Sequence, residues 1–320
     1  MAGRRDGERL ETFSAAEMER RIKGYEGEVL RNYAAALDSI RSDIAKIYDR
    51  YAINGELTYA EMAKFNRLAK LEKQITEDIG PSAIRTRSLM ERMPRVEYDE
   101  AFYRYAWTID QQAGVALQWG LLNRDTVVES VANPMRKIAE SRLRADGRLK
   151  IRRAVTQGLI RGVSFPSMMR GIRDAINGTA KDALRIVRTE GQRAQVLGQQ
   201  ASYNRARERG VEVVDVWDAT LDSRTRAEHG VLDGVRAQYD DGGAFWNTSV
   251  GKVRGPLRSG VASFDINCRC RIRGEIDGFE PEVRRIRGQG AVPYQKYEDW
   301  RKGLNQRGRN VELPKEGAGA

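Results

Sequence analysis

Between Met18 and Ile47 the apolar residues Ile22, Tyr25, Val29, Tyr33, Leu37, Ile40 and Ile44 recur at spacings of three and four. That period aligns them on one face of an α-helix about eight turns long. A helix with one long apolar face needs a partner. Its start is predicted at Phe13-Ser14-Ala15-Ala16-Glu17-Met18, where Ser14 and Glu17 form a capping box and Phe13 and Met18 a hydrophobic staple. Asn54-Gly55 reads as a turn, and Leu57-Thr58-Tyr59-Ala60-Glu61-Met62 repeats the capping signature. The stripe that follows, Phe65, Leu68, Leu71, Ile75 and Ile79, ends at Gly80-Pro81 and predicts a second helix antiparallel to the first. Three or four less regular helical stretches then carry the chain to Gly147.

Beyond Gly147 the pattern predicts a short helix over Leu149 to Arg161, a turn over Gly162 to Pro166, another short helix, and a Thr179-capped helix stopped by Gly210 at a C′ position. The signal changes there. Val211 to Trp217 is β-branched and aromatic, and glycines and aspartates punctuate the following residues, so strands and turns are expected to about residue 278. Asp233-Gly234 is a turn before a strand over Val235 to Tyr239, and Asp222 is placed to cap a short helix beginning at Ser223. The fold class expected is α+β: a long N-terminal helical bundle or hairpin region followed by a small mixed strand-and-turn C-terminal domain. Its segments are a disordered N-terminus (1–13), a helical body (14–146), a basic helical connector (147–210), the small α+β domain (211–278) and an extended arm (279–320) carrying Tyr294, Tyr297 and Trp300.

Composition supports a folded, helix-rich chain, with 40% hydrophobic and 32% charged residues. The first ten residues lack an apolar core and no run of about 18 apolar residues occurs, so neither a signal peptide nor a membrane span is expected. Charge adds a partner class. Residues 141–210 hold 16 Lys and Arg against 5 Asp and Glu, so the whole formal charge of +11 sits in this stretch and the remainder sums to zero. Such a block either binds a polyanion by releasing its counterions or is a well-solvated helix face. The DNA-binding candidates are Arg152, Arg153, Arg161, Arg185, Arg205, Arg207 and Arg209. Phe165 and Tyr203 are the only aromatic residues in the block, which favours contact with a duplex backbone over stacking on single strands.

The lone His and both Cys of the chain, His229, Cys268 and Cys270, lie within 42 residues of one another. In Asn267-Cys268-Arg269-Cys270-Arg271-Ile272-Arg273 the alternation predicts a strand with Cys268, Cys270 and Ile272 on one face. A disulfide between strand residues i and i+2 is disfavoured, because their Cα atoms lie near about 6.5 Å apart with constrained Cβ directions. Buried reduced thiols or a metal remain, the latter a structural zinc on His229, Cys268 and Cys270 with Asp222, Asp233 or water as fourth ligand. An enzyme reading instead makes Asp222, Glu228 and His229 a metal-dependent or acid–base centre for DNA processing. The chain has no Gly-rich phosphate loop, G-x-S-x-G elbow or H-E-x-x-H motif to support it.

The run Trp217-Asp218-Ala219-Thr220-Leu221-Asp222-Ser223-Arg224-Thr225-Arg226-Ala227-Glu228-His229-Gly230-Val231-Leu232-Asp233-Gly234, with Asn267-Cys268-Arg269-Cys270 after it and Arg188-Thr189-Glu190 before it, resembles the phage Mu F-like family of minor head proteins. The resemblance spans about residues 180 to 275. It implies a late, non-enzymatic structural protein of a tailed bacteriophage, made in the host cytoplasm and packaged in the virion at the head interior or portal vertex. Its implied partners are the portal protein and other head proteins; the basic block adds non-specifically bound double-stranded DNA, and no membrane partner is expected. The implied role is head morphogenesis, extending to genome ejection.

Overall fold

The computed structural model describes residues 2–114, 116–220, 223–276, 284–286 and 290–292. Helices come first: α1 (Ala2–Tyr51), α2 (Tyr59–Ala63), α3 (Arg67–Ala113), α4 (Arg124–Ser130), α5 (Pro134–Ile160) and α6 (Phe165–Arg207). Short elements follow: β1 (Val213–Asp218), α7 (Ala227–Gly230), β2 (Gln238–Asp240), β3 (Gly243–Thr248), β4 (Gly251–Val253), α8 (Ala262–Asp265) and β5 (Arg271–Ile276), then β6 (Arg284–Ile286) and β7 (Gly290–Val292). The class is α+β, a long helical region and then a small domain of antiparallel strands. Among the described residues no helix is long and apolar enough to cross a membrane.

The chain falls into two compact units, Ile22–Arg92 with Asn133–Arg188, and Met1–Arg21 with Met93–Ala132 and Thr189–Ala320. This division does not follow the consecutive segments expected from sequence, because α1, α3 and α6 each contribute residues to both units.

In the first of these units α1 and α3 are antiparallel. Glu28 pairs with Arg92 at 2.9 Å, Asn32 accepts from Arg85 at 3.0 Å, and Ser39 donates to Asp78 at 2.9 Å, so partners descend α3 as they ascend α1. Val29, Tyr33, Ile40, Ile44 and Tyr48 are buried on α1, and Leu71, Ile75, Ile79, Leu89 and Met90 on α3. The turn between the helices is as read: Asn54 and Gly55 have φ of 52° and 78°, and Thr58 caps α2 by accepting from the Glu61 amide. Leu57 and Met62, the staple positions, are both fully buried.

Several expected boundaries move. Ser14 caps nothing; its hydroxyl lies 3.0 Å from that of Thr108 in the interior, Leu10 packs on the same core, and Phe13 is 53% exposed, so α1 begins before the supposed box. Phe65 leaves the apolar stripe: its φ of 55° breaks the helix between α2 and α3, and its ring is 80% exposed. Gly80-Pro81 does not end α3. A mid-helix proline removes one backbone bond at about 3 kcal/mol, and continued burial of Ser82, Thr86, Leu89 and Met90 offsets that loss. Likewise α5 runs through Gly147, and α6 is one helix in which Thr179 is no cap, its hydroxyl donating back to the Ala175 carbonyl at 3.0 Å.

The second unit holds the small domain. β1 and β5 pair antiparallel from Val213↔Ile276 to Asp218↔Arg271, and β2, β3 and β4 form a meander. The free edge of β1 is closed by the segment after Asp233-Gly234, through Trp217 N to Val235 O (2.9 Å) and Ala237 N to Asp215 O (2.7 Å). Of the strand expected over Val235 to Tyr239, Arg236 forms an isolated bridge with Val216, and Gln238 and Tyr239 open β2. Helix α6 lies against both parts of the unit. Gln195 donates to Met18 O (3.0 Å) and to the fully buried Glu97 (2.7 Å), which Arg21 also clamps, while Gln199 and Gln200 donate to Ile272 O and Arg254 O. A side chain at Gly274 of β5 would collide with the Tyr203 ring, a Cβ there meeting Cζ at 2.7 Å. β6 and β7 pair within the expected arm; Tyr294, Tyr297 and Trp300 lie outside the described residues.

Candidate metal centre

One turn of helix, α7, presents His229. It has no side-chain N-cap; Arg226 at that position instead donates to Ile266 O at 2.6 Å and Phe264 O at 3.4 Å, tying α7 to α8 and the turn after it. That turn reverses at Asn267, whose φ of 58° is the left-handed conformation that Asn tolerates better than most residues. Thr189 on α6 accepts from the Asn267 amide at 3.3 Å, which gives the middle residue of Arg188-Thr189-Glu190 a positioning role. Cys268 and Cys270 follow. They precede β5 and are not part of it, correcting the predicted strand start, yet the alternation persists: Cys268, Cys270 and Ile272 are buried while Arg269 and Arg271 are partly exposed.

These elements bring the three sequence-selected residues together. His229 Nδ1 lies 3.4 Å from Cys270 Sγ and 3.4 Å from Cys268 Sγ, and the donor atoms of all three lie within 4.8 Å of one another. Each side chain is nearly solvent-free, at 2% exposure for His229, 2% for Cys268 and 3% for Cys270. The imidazole is held between Phe264, with ring centroids 4.2 Å apart, and the edge of Trp217 at 6.2 Å. His229 Nε2 is buried without a hydrogen-bond partner among the described residues. The cysteines are free, and their thiols titrate as a pair: the hydrogen bond from Cys268 holds Cys270 below the ordinary thiol range, with His229 adding to the effect, and the same bond to Cys270, together with burial, pushes Cys268 up.

The carboxylates expected near this centre go elsewhere. Asp233 is exposed and accepts from the Ala219 amide at 2.9 Å, Glu228 accepts from Ser249 at 2.8 Å, and Asp222 lies outside the described residues. No Asp or Glu among the described residues joins the His–Cys group. Glu228 does not join His229 among the described residues, and Asp222 lies outside them.

The seven arginine candidates divide. Arg205 donates to Trp119 O at 2.5 Å and stacks over Phe102, and Arg207 is bound to Asp215, to Val213 O and to Tyr239, so both are committed to the fold. Arg209 is exposed and donates to Arg205 O at 3.2 Å. Arg152, Arg153, Arg161 and Arg185 are exposed, with Arg152 reaching Glu72 and Arg185 reaching Asp182. Sequence spacing could not make this division, because Arg205 and Arg207 look like any other residues of a basic helix end.

Arg207's partner carries a testable consequence. Burial pushes the Asp215 carboxyl up to about 6, outweighing Arg207, which lowers it. A folded value above the unfolded one of about 3.9 means that the native state binds the proton more tightly, so this group's contribution to stability is full below about pH 4 and is lost as pH rises through 6. Asp215→Asn, which stays neutral, is expected to flatten the stability profile between pH 4 and 6 by up to about 2 kcal/mol in urea melts. An unchanged slope would show that Asp215 is ionised throughout that range.

A family model described as Phage Mu protein F like protein matches residues 149–273. The Minor head protein GP7 of Bacillus phage SPP1 is 32% identical over 279 residues, covering 84% of this chain and 89% of that protein. The NAD(+)–arginine ADP-ribosyltransferase EFV of Enterococcus faecalis (strain ATCC 700802 / V583) is 28% identical over 264 residues, covering 81% of this chain but 54% of that protein. No solved structure matches.

Proposed function

Because the chain belongs to the Mu F-like family of phage minor head proteins, we propose that it is a non-enzymatic assembly component of a tailed-phage head. In this reading it is made in the host cytoplasm, sits at the portal vertex on the capsid interior and lies against packaged DNA. The observation that carries the reading is the similarity to a minor head protein over nearly the whole of both chains. The chemistry of the small domain agrees with a structural role. Cys270 and His229 stand close enough for a nucleophile and base, but both are buried and the imidazole is stacked on Phe264. A catalytic pair has to meet its substrate.

Purified virions of the phage encoding the chain provide the test. The protein is expected at a low copy number relative to the major capsid protein by mass spectrometry, and averaged particle images are expected to lose density at one vertex when its gene is deleted. Normal DNA-filled particles that lack the protein would refute the assignment.

The DNA-facing part of the proposal rests on Arg152, Arg153, Arg161 and Arg185. Contacts to phosphates release condensed counterions, so each adds about 0.9 to the fall of log K with log[salt]. Weak, sequence-independent duplex binding is expected, with a slope of roughly −3 to −4 if these four each meet a phosphate. Changing the four to Glu is expected to abolish retention on DNA while leaving the fold intact. A slope near zero, or full retention by that variant, would make the basic block a solvated face only.

A further inference from the structure

The His–Cys cluster is unexplained by a head-assembly role, and its geometry is specific. We propose that His229 Nδ1, Cys268 Sγ and Cys270 Sγ are the protein ligands of a structural zinc ion in the small domain. With Zn–S bonds of about 2.3 Å and Zn–N of about 2.0 Å, tetrahedral coordination puts neighbouring N and S atoms about 3.5 Å apart and two sulfurs about 3.8 Å apart. The observed N···S separations are 3.4 Å and 3.4 Å, with every donor pair inside 4.8 Å.

Hydrogen bonding accounts for this arrangement less well than a metal does. A neutral imidazole nitrogen has one lone pair and accepts one proton, yet Nδ1 stands equally far from both sulfurs. A cation among the three donors engages all of them at once. Charge balance points the same way. Two thiolates and a neutral imidazole neutralise a divalent ion, so the assembled site can sit in an apolar core without the cost of a buried net charge. That core includes Trp217, Trp246, Phe264 and Ile272. The described residues supply no carboxylate, and a zinc ion with two thiolates needs none for neutrality; its fourth position takes a neutral water.

The ion would join α7 to the segment before β5, closing a loop between residues 229 and 268 in a domain whose strands are three to six residues long. Short strands supply little stability by themselves, which is the circumstance in which a metal contributes directly to folding. Zinc is preferred over harder cations because two of the donors are thiolates.

The full chain, free of tag histidines and purified from zinc-supplied cells, is expected to retain about one zinc per chain by elemental analysis, and Cys268→Ser with Cys270→Ser at least tenfold less. Because that variant can fail to fold, the wild-type protein carries two further readouts. Refolded with Co(II), it is expected to show the thiolate-to-metal charge-transfer absorption and the intense visible bands of a tetrahedral site. Alkylation of its two cysteines is expected to accelerate at least tenfold when a chelator removes the metal, with a fall in Tm. His229→Cys, which preserves a soft donor, is expected to keep the zinc that His229→Ala loses. Folded wild-type protein with less than about one zinc per ten chains and a Tm indifferent to chelator would leave a dry thiol cluster. Zinc bound equally by the double-Ser variant, or cobalt without charge transfer, would place the metal at adventitious surface sites and overturn the proposal.

Discussion

Ile40→Asp is expected to destabilise the protein by about 4 kcal/mol, lowering Tm by roughly 10 °C. Ile40 is fully buried on α1, flanked along the stripe by Ala36 and Ile44, which are buried as well. The substitution acts twice: it removes a branched aliphatic side chain from a packed face, a loss of about 2 to 4 kcal/mol when Ile becomes a small residue, and it places a carboxylate at a fully buried position. The side chain responds by taking up a proton, so the penalty is expected to shrink at acid pH. Arg41→Asp is the control, since Arg41 faces solvent one position along; a surface change of this kind stays within about 0.5 kcal/mol. Equal melting temperatures for the two variants would show that the α1 stripe has no partner in α3.

That stripe was the most legible feature of the sequence because a period of three and four survives any detail of packing. The turn at Asn54-Gly55 and the Thr58 cap were legible for a related reason, each being decided by one or two side chains acting on their own backbone. Ser14 shows where local reasoning stops. Its sequence context matches a capping box as well as that of Thr58 does, but its hydroxyl meets Thr108, 94 positions away, and no local signal announces such a partner. Gly80-Pro81 fails similarly. A proline's local penalty is fixed near 3 kcal/mol, whereas the burial available to the residues on both sides depends on α1.

The His–Cys centre was readable by scarcity. One histidine and two cysteines in a chain of 320 residues, all in the same strand-and-turn segment, leave few combinations, and the structure brings all three to one point. The residues that position them were not readable. Arg226 spends its guanidinium on the carbonyls of Phe264 and Ile266, and Thr189 reaches the amide of Asn267 from α6. Both belong to motifs that carry the family resemblance, but their link to the cysteines is made by the fold and not by sequence spacing. Asp233, chosen for its proximity in sequence, is diverted to the Ala219 amide because that turn has an unpaired backbone donor for it.

Gly198 carries the strongest steric constraint, and its effect runs against helix propensity. In an exposed helix interior, replacing Gly by Ala gains about 0.5 to 1 kcal/mol, since glycine loses the most backbone freedom on folding. At Gly198 of α6 a Cβ would stand 2.2 Å from the Tyr98 carbonyl oxygen, 3.0 Å from its carbon and 3.1 Å from the Phe102 amide nitrogen. All three are backbone atoms of α3, so no rotamer change relieves the contact and one helix must move. The same stretch of α6 aims Gln195 at Glu97 and Met18 O, and Gln199 at Ile272 O, so displacement leaves buried polar groups without partners. Gly198→Ala is therefore expected to cost about 3 kcal/mol. Gly178→Ala, in the same helix with nothing within 4 Å of the added carbon, is expected to stabilise by about 0.5 kcal/mol. Urea melts of the two variants read the sign directly. If Gly198→Ala proves neutral or stabilising, α6 and α3 do not approach each other at this point, and the support that α6 gives to the β5 strand and to Asn267 beneath the cysteines must come from elsewhere.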